Sequence, residues 1–397
     1  MGPGPVDVYP RVLRAMSVAL QGQFDPQFRR TMGETMALYR QVFRTANPWT
    51  LLVDGTARAA IEACLVSMLA PGDGLLVPIF GRFGHLLVEI GRRAGAEVTA
   101  IETEWGRVFE PDAVRAALDR CRPRVLAICH GDTSTTMLQP LSAIGALCRE
   151  RDVLLYVDCT ATLGGNPFEM DAWQIDAASA GLQKCLSGPP GSAPVSFNER
   201  VAAVVGARRH VEQGLAAPDL DEGPGPAIRS NYFDLAMLMD YWSPRQLNHH
   251  TEAASMLYAA RECARVVLGE GLEAGFARHR LASGALRAGL EAMGLALFGD
   301  PVHRMANVTG VLIPEAIGDG EKVRAQMLLD FGIEIGTSFG PLAGRIWRIG
   351  TMGHVCRKAN VLRCLTALEA VLRRNGVKPP PGAAVEAACA VYAAAGQ

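Results

Sequence analysis

The residues that could do chemistry stand at the ends of two predicted strands. The segment LLYVDCTATLGG brings Asp158 to the end of one strand, and SAGLQKCLSGPPG places Lys184 in a Gly- and Pro-rich loop after the next. In an open α/β sheet, ligands bind at the carboxyl edge, where both side chains should lie. A buried lysine has a depressed pKa and can form a Schiff base, whereas an aspartate against a pyridine nitrogen keeps that nitrogen protonated. Each residue alone has a plainer explanation, as a solvated lysine or a helix-capping aspartate.

A third element, VDGTARAAIEA, joins a strand to a helix through Asp54, Gly55, Thr56, Ala57 and Arg58. Small residues at such a turn let backbone N–H groups approach a phosphate, and the helix N-terminus adds a favourable dipole. The alternative is an ordinary strand-to-helix turn in which Thr56 caps the helix. The local sequence leaves both interpretations open.

Short apolar runs alternate with amphipathic stretches between residues 49 and 197, as a mostly parallel sheet flanked by helices requires. The predicted strands are residues 50–53, 75–79, 97–101, 125–128, 153–158, 177–180 and 193–197. The predicted helices between them are residues 57–69, 83–94, 111–120 and 141–151. The pattern therefore predicts a large α/β domain with a seven-stranded sheet.

A smaller C-terminal α/β domain is predicted because strands and helices alternate again after two long helices. Its helices, with the two long ones, are predicted at residues 251–269, 272–293, 321–331 and 358–374, and its strands at 308–313 and 345–349. The chain is divided accordingly into an N-terminal segment (1–20), a large domain (21–268) and a small domain (269–397). Residues 206–230, rich in Gly and Pro, are predicted to be a surface excursion.

Composition limits the class of partner. With 39 Lys and Arg against 40 Asp and Glu, the net charge of -1 provides no basic footprint for nucleic acid or an anionic membrane, so small-molecule partners are expected. The sequence has no signal-peptide pattern or long apolar run, and a cytoplasmic protein is expected. Ten cysteines at irregular spacing predict reduced thiols and no zinc site. The adjacent His249 and His250 should diverge, so we expect no metal site there.

Several motifs occur in the order found in one enzyme family. They are GPGPV (2–6), DGTARA (54–59), HGDTSTT (130–136), VDCTATLGG (157–165), LQKCLSGPPG (182–191), NHHT (248–251) and RIG (348–350). Together they resemble the class V, fold type I aminotransferases, such as the alanine-glyoxylate and serine-pyruvate aminotransferases, over nearly the whole chain. The resemblance implies an aminotransferase that uses pyridoxal 5'-phosphate and acts on small amino and oxo acids.

The resemblance also implies a role for individual residues. Lys184 matches the lysine that forms a Schiff base with the cofactor, and Asp158 matches the partner of the pyridine nitrogen. The other cofactor matches are Thr56, Ala57, Arg58 and Gln183 at the phosphate, Phe80 over the ring and Ser134 near the phenolic oxygen. Thr251 matches a threonine that reaches the phosphate from the neighbouring subunit, which implies a homodimer with shared sites. Arg348 matches the arginine that binds the substrate carboxylate.

Two departures from the alanine-glyoxylate pattern concern the substrate. Asn248 stands where those enzymes have Tyr in YHHT, and Gln23 stands where they commonly have His. Both are amides, which offer a donor and an acceptor together, as a ureido group does. In this the chain resembles the ureidoglycine-glyoxylate aminotransferases of purine breakdown. That resemblance implies transfer of the amino group of (S)-ureidoglycine to glyoxylate, giving oxalurate and glycine, with Gln23 and Asn248 as specificity residues.

Three other functions are compatible with parts of the pattern. An alanine or serine aminotransferase with glyoxylate or pyruvate as acceptor would share every cofactor residue. A regulatory or scaffold protein that keeps the fold without turnover would not need Lys184, Asp158 and Arg348 together. A desulfurase would need a reactive cysteine in a mobile loop, and packing is the simpler explanation for Cys185 beside Lys184.

Overall fold

The computed structural model describes residues 1–215 and 221–397, so residues 216–220 of the predicted surface excursion lie outside the described residues. The helices are α1 Pro10–Met16, α2 Pro26–Phe43, α3 Ala57–Met68, α4 Arg82–Arg93, α5 Pro111–Cys121, α6 Ser142–Glu150, α7 Glu199–Gly206, α8 Leu235–Trp242, α9 Ala254–Glu270, α10 Leu272–Ala292, α11 Gly320–Phe331, α12 Lys358–Arg374 and α13 Ala383–Ala394. The strands are β1 Trp49–Gly55, β2 Gly74–Ile79, β3 Glu97–Glu102, β4 Val125–Cys129, β5 Gly131–Asp132, β6 Met137–Leu138, β7 Leu154–Asp158, β8 Ala177–Ser179, β9 Gly191–Phe197, β10 Val308–Leu312, β11 Gly336–Thr337 and β12 Ile346–Gly350. Short 3-10 helices cover Gln213–Leu215, Glu315–Ile317, Gly340–Leu342 and Gly353–Val355.

The large sheet has seven strands in the order β1-β9-β8-β7-β4-β2-β3. The β8-β7-β4-β2-β3 pairs are parallel, while β9 runs antiparallel to both of its neighbours, β1 and β8. Its interior strands are continuous apolar runs, as expected of a sheet covered by helices on both faces. The predicted mostly parallel seven-stranded α/β sheet is therefore confirmed.

Two hydrophobic cores divide the chain. The first contains buried side chains from Val12 to Ala264, and the second contains buried side chains from Ala282 to Tyr392. The second core covers a small antiparallel sheet in the order β10-β12-β11. The change from one core to the other falls at the junction of α9 and α10, and the division at residues 268 and 269 stays a prediction.

The helix predicted from residue 251 instead begins at Ala254. The residues before it are drawn toward the end of β1, because the backbone N–H of Ala253 donates to Asp54 Oδ2 at 2.9 Å. Thr251 and Glu252 therefore precede the helix. We call residues 248–253 the 248–253 segment.

The first nine residues form a strap between the second core and the loop that carries Lys184. Val6 N donates to Gln183 O at 3.0 Å, and Tyr9 N donates to Ser187 O at 2.9 Å. At the other end, Gly350 N at the end of β12 donates to Met1 O at 2.6 Å. This N-terminal strap therefore lies beside the carboxyl edge of the large sheet. None of the helices among the described residues is long and apolar enough to cross a membrane.

Candidate active site

A cavity of about 240 Å³ at the carboxyl edge of the large sheet brings Asp158 and Lys184 together. Asp158 is the last residue of β7 and pairs with Ser179, the last residue of β8. The chain then turns back through residues 180–184, which delivers Lys184 to the same edge. The two residues singled out from separate motifs thus line one cavity.

Lys184 is held by the N-terminal strap. Its Nζ donates to the carbonyl oxygen of Pro3 at 2.6 Å. Gly4 has φ of +97°, and a Cβ at that position would lie 2.4 Å from the Lys184 Nζ. Only glycine therefore fits between the strap and the amine.

The amine of Lys184 is in the range where it can act as a base. Burial and, to a smaller extent, the positive charge of Arg348 lower the pKa of Lys184 to about 8. Near neutral pH a much larger fraction of this amine is therefore unprotonated than of the amine of a solvated lysine, whose pKa is 10.5. An unprotonated amine is what both Schiff-base formation and proton abstraction require.

The carboxylate of Asp158 is buried and only partly compensated. Oδ1 accepts a hydrogen bond from Thr160 N at 2.9 Å. Burial raises the pKa of Asp158, and the carboxylate of Asp132 acts in the same sense. A cationic ring N–H placed against this carboxylate would lower the pKa of Asp158 again. The carboxylate would in turn keep the ring nitrogen protonated.

The third side of the cavity is the turn from β1 into α3. Gly55 has φ of +129°, and Thr56 precedes the helix without a side-chain capping hydrogen bond. Thr56, Ala57 and Arg58 all line the cavity, so the free N–H groups at the start of α3 lie beside it. Gln183 also lines it, and its buried Oε1 has no hydrogen-bond partner.

These groups match the chemistry of pyridoxal phosphate. An amine of lowered pKa suits an aldehyde, a buried carboxylate suits a ring N–H, and a helix N-terminus with an adjacent arginine suits a phosphate. The orphaned Gln183 Oε1 indicates that the cavity is built for a polar occupant. Lys184, Asp158, Thr56, Ala57, Arg58 and Gln183 are the residues that could hold it.

The aromatic residue on the cavity wall differs from the one singled out in the sequence. Phe80 is buried with an exposed fraction of 1% and belongs to the first hydrophobic core, whereas Phe83, on the first turn of α4, lines the cavity. Both rings lie in the segment IFGRFG, and the place of Phe80 over the cofactor ring stays a prediction.

Ser134 braces the cavity from behind. Its hydroxyl donates to Asp132 Oδ1 at 2.6 Å and accepts from the backbone N–H of Arg82 at 2.9 Å. Asp132 Oδ2 accepts from Phe83 N at 2.8 Å. Asp132 and Ser134 therefore fix the N-terminus of α4 and, with it, the ring of Phe83. Asp132 lies in the HGDTSTT motif, although no role had been given to it.

Arg348 reaches the large sheet from the small one. Its guanidinium donates to the carbonyl oxygen of Thr133, which lines the cavity, at 2.8 Å and also to the carbonyl oxygen of Thr337. The guanidinium carbon lies 5.0 Å from the ring centroid of Phe339. Burial lowers the pKa of Arg348 to about 10, so it remains a cation at neutral pH.

Gln23, Asn248 and Thr251 form a second group outside the walls of the Lys184 cavity. Gln23 Nε2 donates to Asn248 Oδ1 at 3.4 Å, although the two residues are 225 positions apart. Gln23 and Thr251 line a separate depression of about 390 Å³. Within one chain the structure thus pairs the two amides with each other and places them beside Thr251.

The chain matches known proteins over its full length. Residues 12–208 match the family model described as Aminotransferase class-V. The chain is 54% identical to the (S)-ureidoglycine–glyoxylate transaminase of Bacillus subtilis (strain 168), covering 100% of this chain and 96% of that protein. The crystal structure of the ureidoglycine-glyoxylate aminotransferase from Bacillus subtilis superposes with a TM-score of 0.93 at 53% identity, covering 99% of this chain and 97% of the other.

The names of more distant relatives give a different amino donor. The alanine–glyoxylate aminotransferase of Drosophila melanogaster is 33% identical over 95% of this chain and 93% of its own length. Both relatives are aminotransferases, in agreement with the expected role of the Lys184 cavity. On these grounds the chain belongs to the class V aminotransferase family.

Proposed function

We propose that the protein transfers the amino group of (S)-ureidoglycine to glyoxylate, giving oxalurate and glycine, in the breakdown of purines. The contact between the Gln23 and Asn248 amides is the structural observation that supports ureidoglycine as the amino donor. The 54% identity to a ureidoglycine–glyoxylate transaminase over the full chain supports the same donor.

The proposed cofactor is pyridoxal 5'-phosphate, which supplies an aldehyde for the amino group and a ring that accepts the electrons left when the Cα proton is removed. The N-terminus of α3 with Thr56, Ala57 and Arg58 would bind its phosphate, and Gln183 would donate through its amide. Asp158 would hold the ring nitrogen protonated. Phe83 would limit the position of the ring from the α4 side, because it lies on the cavity wall.

Lys184 Nζ is the proposed base. Its lowered pKa allows the amine to take a proton from the substrate Cα and return it on the other side of the transfer. The hydrogen bond to Pro3 O limits where the amine can swing. Burial beside the N-terminal strap excludes water from the amine, which favours proton transfer over exchange with solvent.

Arg348 is proposed to bind the carboxylate that ureidoglycine and glyoxylate share. Two of its donors are used by the carbonyls of Thr133 and Thr337, which fix the plane of the guanidinium. A guanidinium has five N–H donors, so the remaining edge can still pair with a carboxylate. A fixed arginine favours small oxo acids over neutral aldehydes.

The amide pair is proposed to act across a homodimer. Gln23, Asn248 and Thr251 lie together but outside the walls of their own chain's Lys184 cavity, which is what sites shared between subunits require. In this arrangement Thr251 of each subunit would reach the other's phosphate, and the amides would meet the ureido end of the substrate. The ten free thiols support a reducing compartment, and we propose a cytoplasmic enzyme.

The second candidate is an alanine– or serine–glyoxylate aminotransferase. The relative from Drosophila melanogaster favours it, since its name carries alanine as donor. The cofactor residues and Arg348 would serve either reaction. The two candidates therefore differ only in whether the site recognises the ureido group of the donor.

The two candidates can be separated by single half-reactions of the cofactor-loaded enzyme. Alanine, serine and freshly generated ureidoglycine are mixed with it separately, and the loss of its visible absorption band is followed by stopped flow. Glyoxylate is then added to restore the band. We expect ureidoglycine to react fastest by at least about tenfold, which corresponds to one or two hydrogen bonds. Equal or faster reaction with alanine would establish the second candidate.

A further inference from the structure

A cluster of acidic and imidazole groups lies outside the Lys184 cavity, where β1 meets the 248–253 segment. Asp54, His250 and Glu252 each direct one potential ligand atom into a space where these atoms lie within 4.8 Å of one another. The exposed fractions of the three side chains are only 8%, 9% and 2%. This cluster is separate from the roles proposed for the cavity residues.

The polar atoms of the cluster are poorly satisfied. Asp54 Oδ1, His250 Nε2 and both carboxylate oxygens of Glu252 are buried and have no hydrogen-bond partner. His250 Nε2 lies 3.4 Å from Asp54 Oδ2 and 3.5 Å from Glu252 Oε2. Both distances are longer than those of good charge-assisted hydrogen bonds, which are about 2.7–2.9 Å. A buried carboxylate with no close donor is costly unless another cation binds it.

The tautomer of His250 can be deduced from its neighbour. His249 Nε2 lies 3.1 Å from the carbonyl oxygen of Asn231, which only accepts, so this nitrogen carries the hydrogen. A neutral imidazole carries one hydrogen, which leaves the Nδ1 of His249 as an acceptor. His250 Nδ1, at 2.7 Å from it, must then be the donor. In neutral His250 the Nε2 lone pair therefore faces Asp54 and Glu252, and an outer hydrogen bond fixes the ring.

The charge balance also calls for a cation. With His250 protonated, the cluster holds one positive and two negative groups and keeps a net negative charge. A divalent ion bound to two carboxylates and a neutral imidazole would leave no net charge.

We infer that Asp54, His250 and Glu252 form a binding site for a divalent transition-metal ion of the Zn²⁺ type. Zinc bonds to imidazole nitrogen and carboxylate oxygen are about 2.0–2.2 Å long, so adjacent ligands of a tetrahedral ion stand about 3.3–3.5 Å apart. The two distances from His250 Nε2 match this spacing. The adjacent histidines do not diverge as expected, because their Nδ1 atoms lie 2.7 Å apart and their ring centroids 4.9 Å apart. The inference therefore departs from the expectation of no metal site there, with His250 as the ligand and His249 as the residue that fixes its ring.

The site has a defined place in the fold. Asp54 directly precedes Gly55 in the turn that leads into α3, and Thr251 stands between the other two ligands. A bound ion would therefore tie the 248–253 segment to the end of β1. The ring of Tyr241 packs against His250 with 4.7 Å between centroids, and its hydroxyl interacts with the Glu252 carboxylate, so Tyr241 covers one side of the cluster.

The test measures metal binding and does not depend on the proposed transamination. Cofactor-loaded protein, freed of metal by dialysis against a chelator, is titrated with Zn²⁺ by calorimetry and with Co²⁺ by its visible ligand-field bands. We expect one ion per chain. Asp54→Asn and Glu252→Gln should each weaken binding by more than the roughly 10–100-fold typical of losing an outer-shell partner, which is the loss expected for His249→Phe. Asp300→Asn is the matched control, because Asp300 contacts His303 at 3.0 Å in a partly exposed pair.

Other results would contradict the metal site. Absence of binding at millimolar Zn²⁺, or equal binding by Glu252→Gln and the unaltered protein, would overturn the inference and leave a protonated His250 as the only cation of the cluster. Should the variants fail to fold, the unaltered protein still decides: thiolate charge-transfer bands on Co²⁺ would place the ion on cysteines and contradict the site. An ion on N and O ligands should also raise the Tm of the unaltered protein.

Discussion

Lys184 Nζ and the carbonyl oxygen of Pro3 are joined by a hydrogen bond of 2.6 Å across 181 positions of the chain. The contact makes the N-terminal strap a wall of the Lys184 cavity. Gly4 and Pro5 line the same cavity. The strap therefore affects the position and the solvation of the amine, and a change in it should alter the chemistry of Lys184.

Substitution Gly4→Ala should damage the site without unfolding the protein. The residue has φ of +97°, which costs a non-glycine residue about 1–2 kcal/mol, and its Cβ would lie 2.4 Å from Lys184 Nζ. We expect the transamination rate to fall by at least about tenfold. Gly33→Ala is the control, because Gly33 has open space around it in α2 and should keep full activity. Equal activities of the two variants would argue against the strap as a wall of the site.

The cavity could be predicted from the sequence better than its surroundings could. Asp158, Lys184 and residues 56–58 meet because parallel strands end at one edge of a sheet, which is a consequence of topology alone. The contact between Lys184 and Pro3 joins residues that no local pattern relates. The place of Phe83 on the cavity wall was likewise not predicted, because it depends on the hydrogen bond from Phe83 N to Asp132, 49 positions away.

In the fold, too, local sequence patterns predict some elements, whereas others depend on tertiary contacts. The interior strands of the large sheet were predicted because buried strands are continuous apolar runs, as in β4 and β7. Strands β5, β6 and β11 have two residues each, too few for any periodicity. The start of α9 was placed three residues early, because the hydrogen bond from Ala253 N to Asp54 holds the preceding residues out of the helix. Such a tertiary contact does not alter the apolar spacing.

Binding of pyridoxal phosphate to the cofactor-free protein should depend on pH through Lys184. Its pKa is lowered to about 8 from an ordinary 10.5, mainly by burial, so the neutral, reactive fraction of the amine reaches one half near pH 8 and levels off only above that. The rate at which the visible band develops should follow that curve. The unfolded chain binds more protons than the folded one between pH 8 and 10.5, so Lys184 makes stability rise with pH there.

Lys184→Met tests both parts of this pH prediction. The variant should develop no visible band at any pH. Its urea unfolding free energy should lack the rise between pH 8 and 10.5 that the unaltered protein shows. A visible band in this variant would remove Lys184 from its proposed role. An unchanged pH slope would mean that another group causes the rise.

The amide pair should control the donor. In Gln23→His with Asn248→Tyr, the contact between the two amides is lost, and with it the donors and acceptors proposed for the ureido group. We expect kcat/KM for ureidoglycine to fall about 10–100-fold, with kcat/KM for alanine unchanged or higher. Steady-state assays with both donors measure the ratio. A similar loss for both donors would indicate a structural role for the pair.

Arg208 should stabilise the large domain through α3. Its Nη1 donates to the carbonyl oxygens of Val66, Ser67 and Leu69 at the C-terminal end of that helix, at 2.7–3.0 Å. A cation at this end also interacts favourably with the helix dipole. Arg208→Met should lower the free energy of unfolding in urea by about 2–4 kcal/mol.

The control for Arg208 is Arg115→Met. Arg115 makes an exposed ion pair with Asp112 on α5, and its loss should change the unfolding free energy by less than about 0.5 kcal/mol. Comparable losses in the two variants would mean that the three carbonyl contacts contribute nothing beyond a surface charge.

The order in which the chain is synthesised decides when the contacts of the N-terminal strap can form. Met1 is made long before Gly350, which donates the hydrogen bond to its carbonyl oxygen. At about 5–20 residues per second, the strap waits roughly 20–70 s for that partner. The strap precedes Lys184, Gln183 and Ser187 in the chain, so it can contact their loop as soon as that loop has been made. The residues that line the cavity all lie between Gly4 and Lys184, so the cavity can form before the small sheet does, and Met1 is then already in place to receive Gly350.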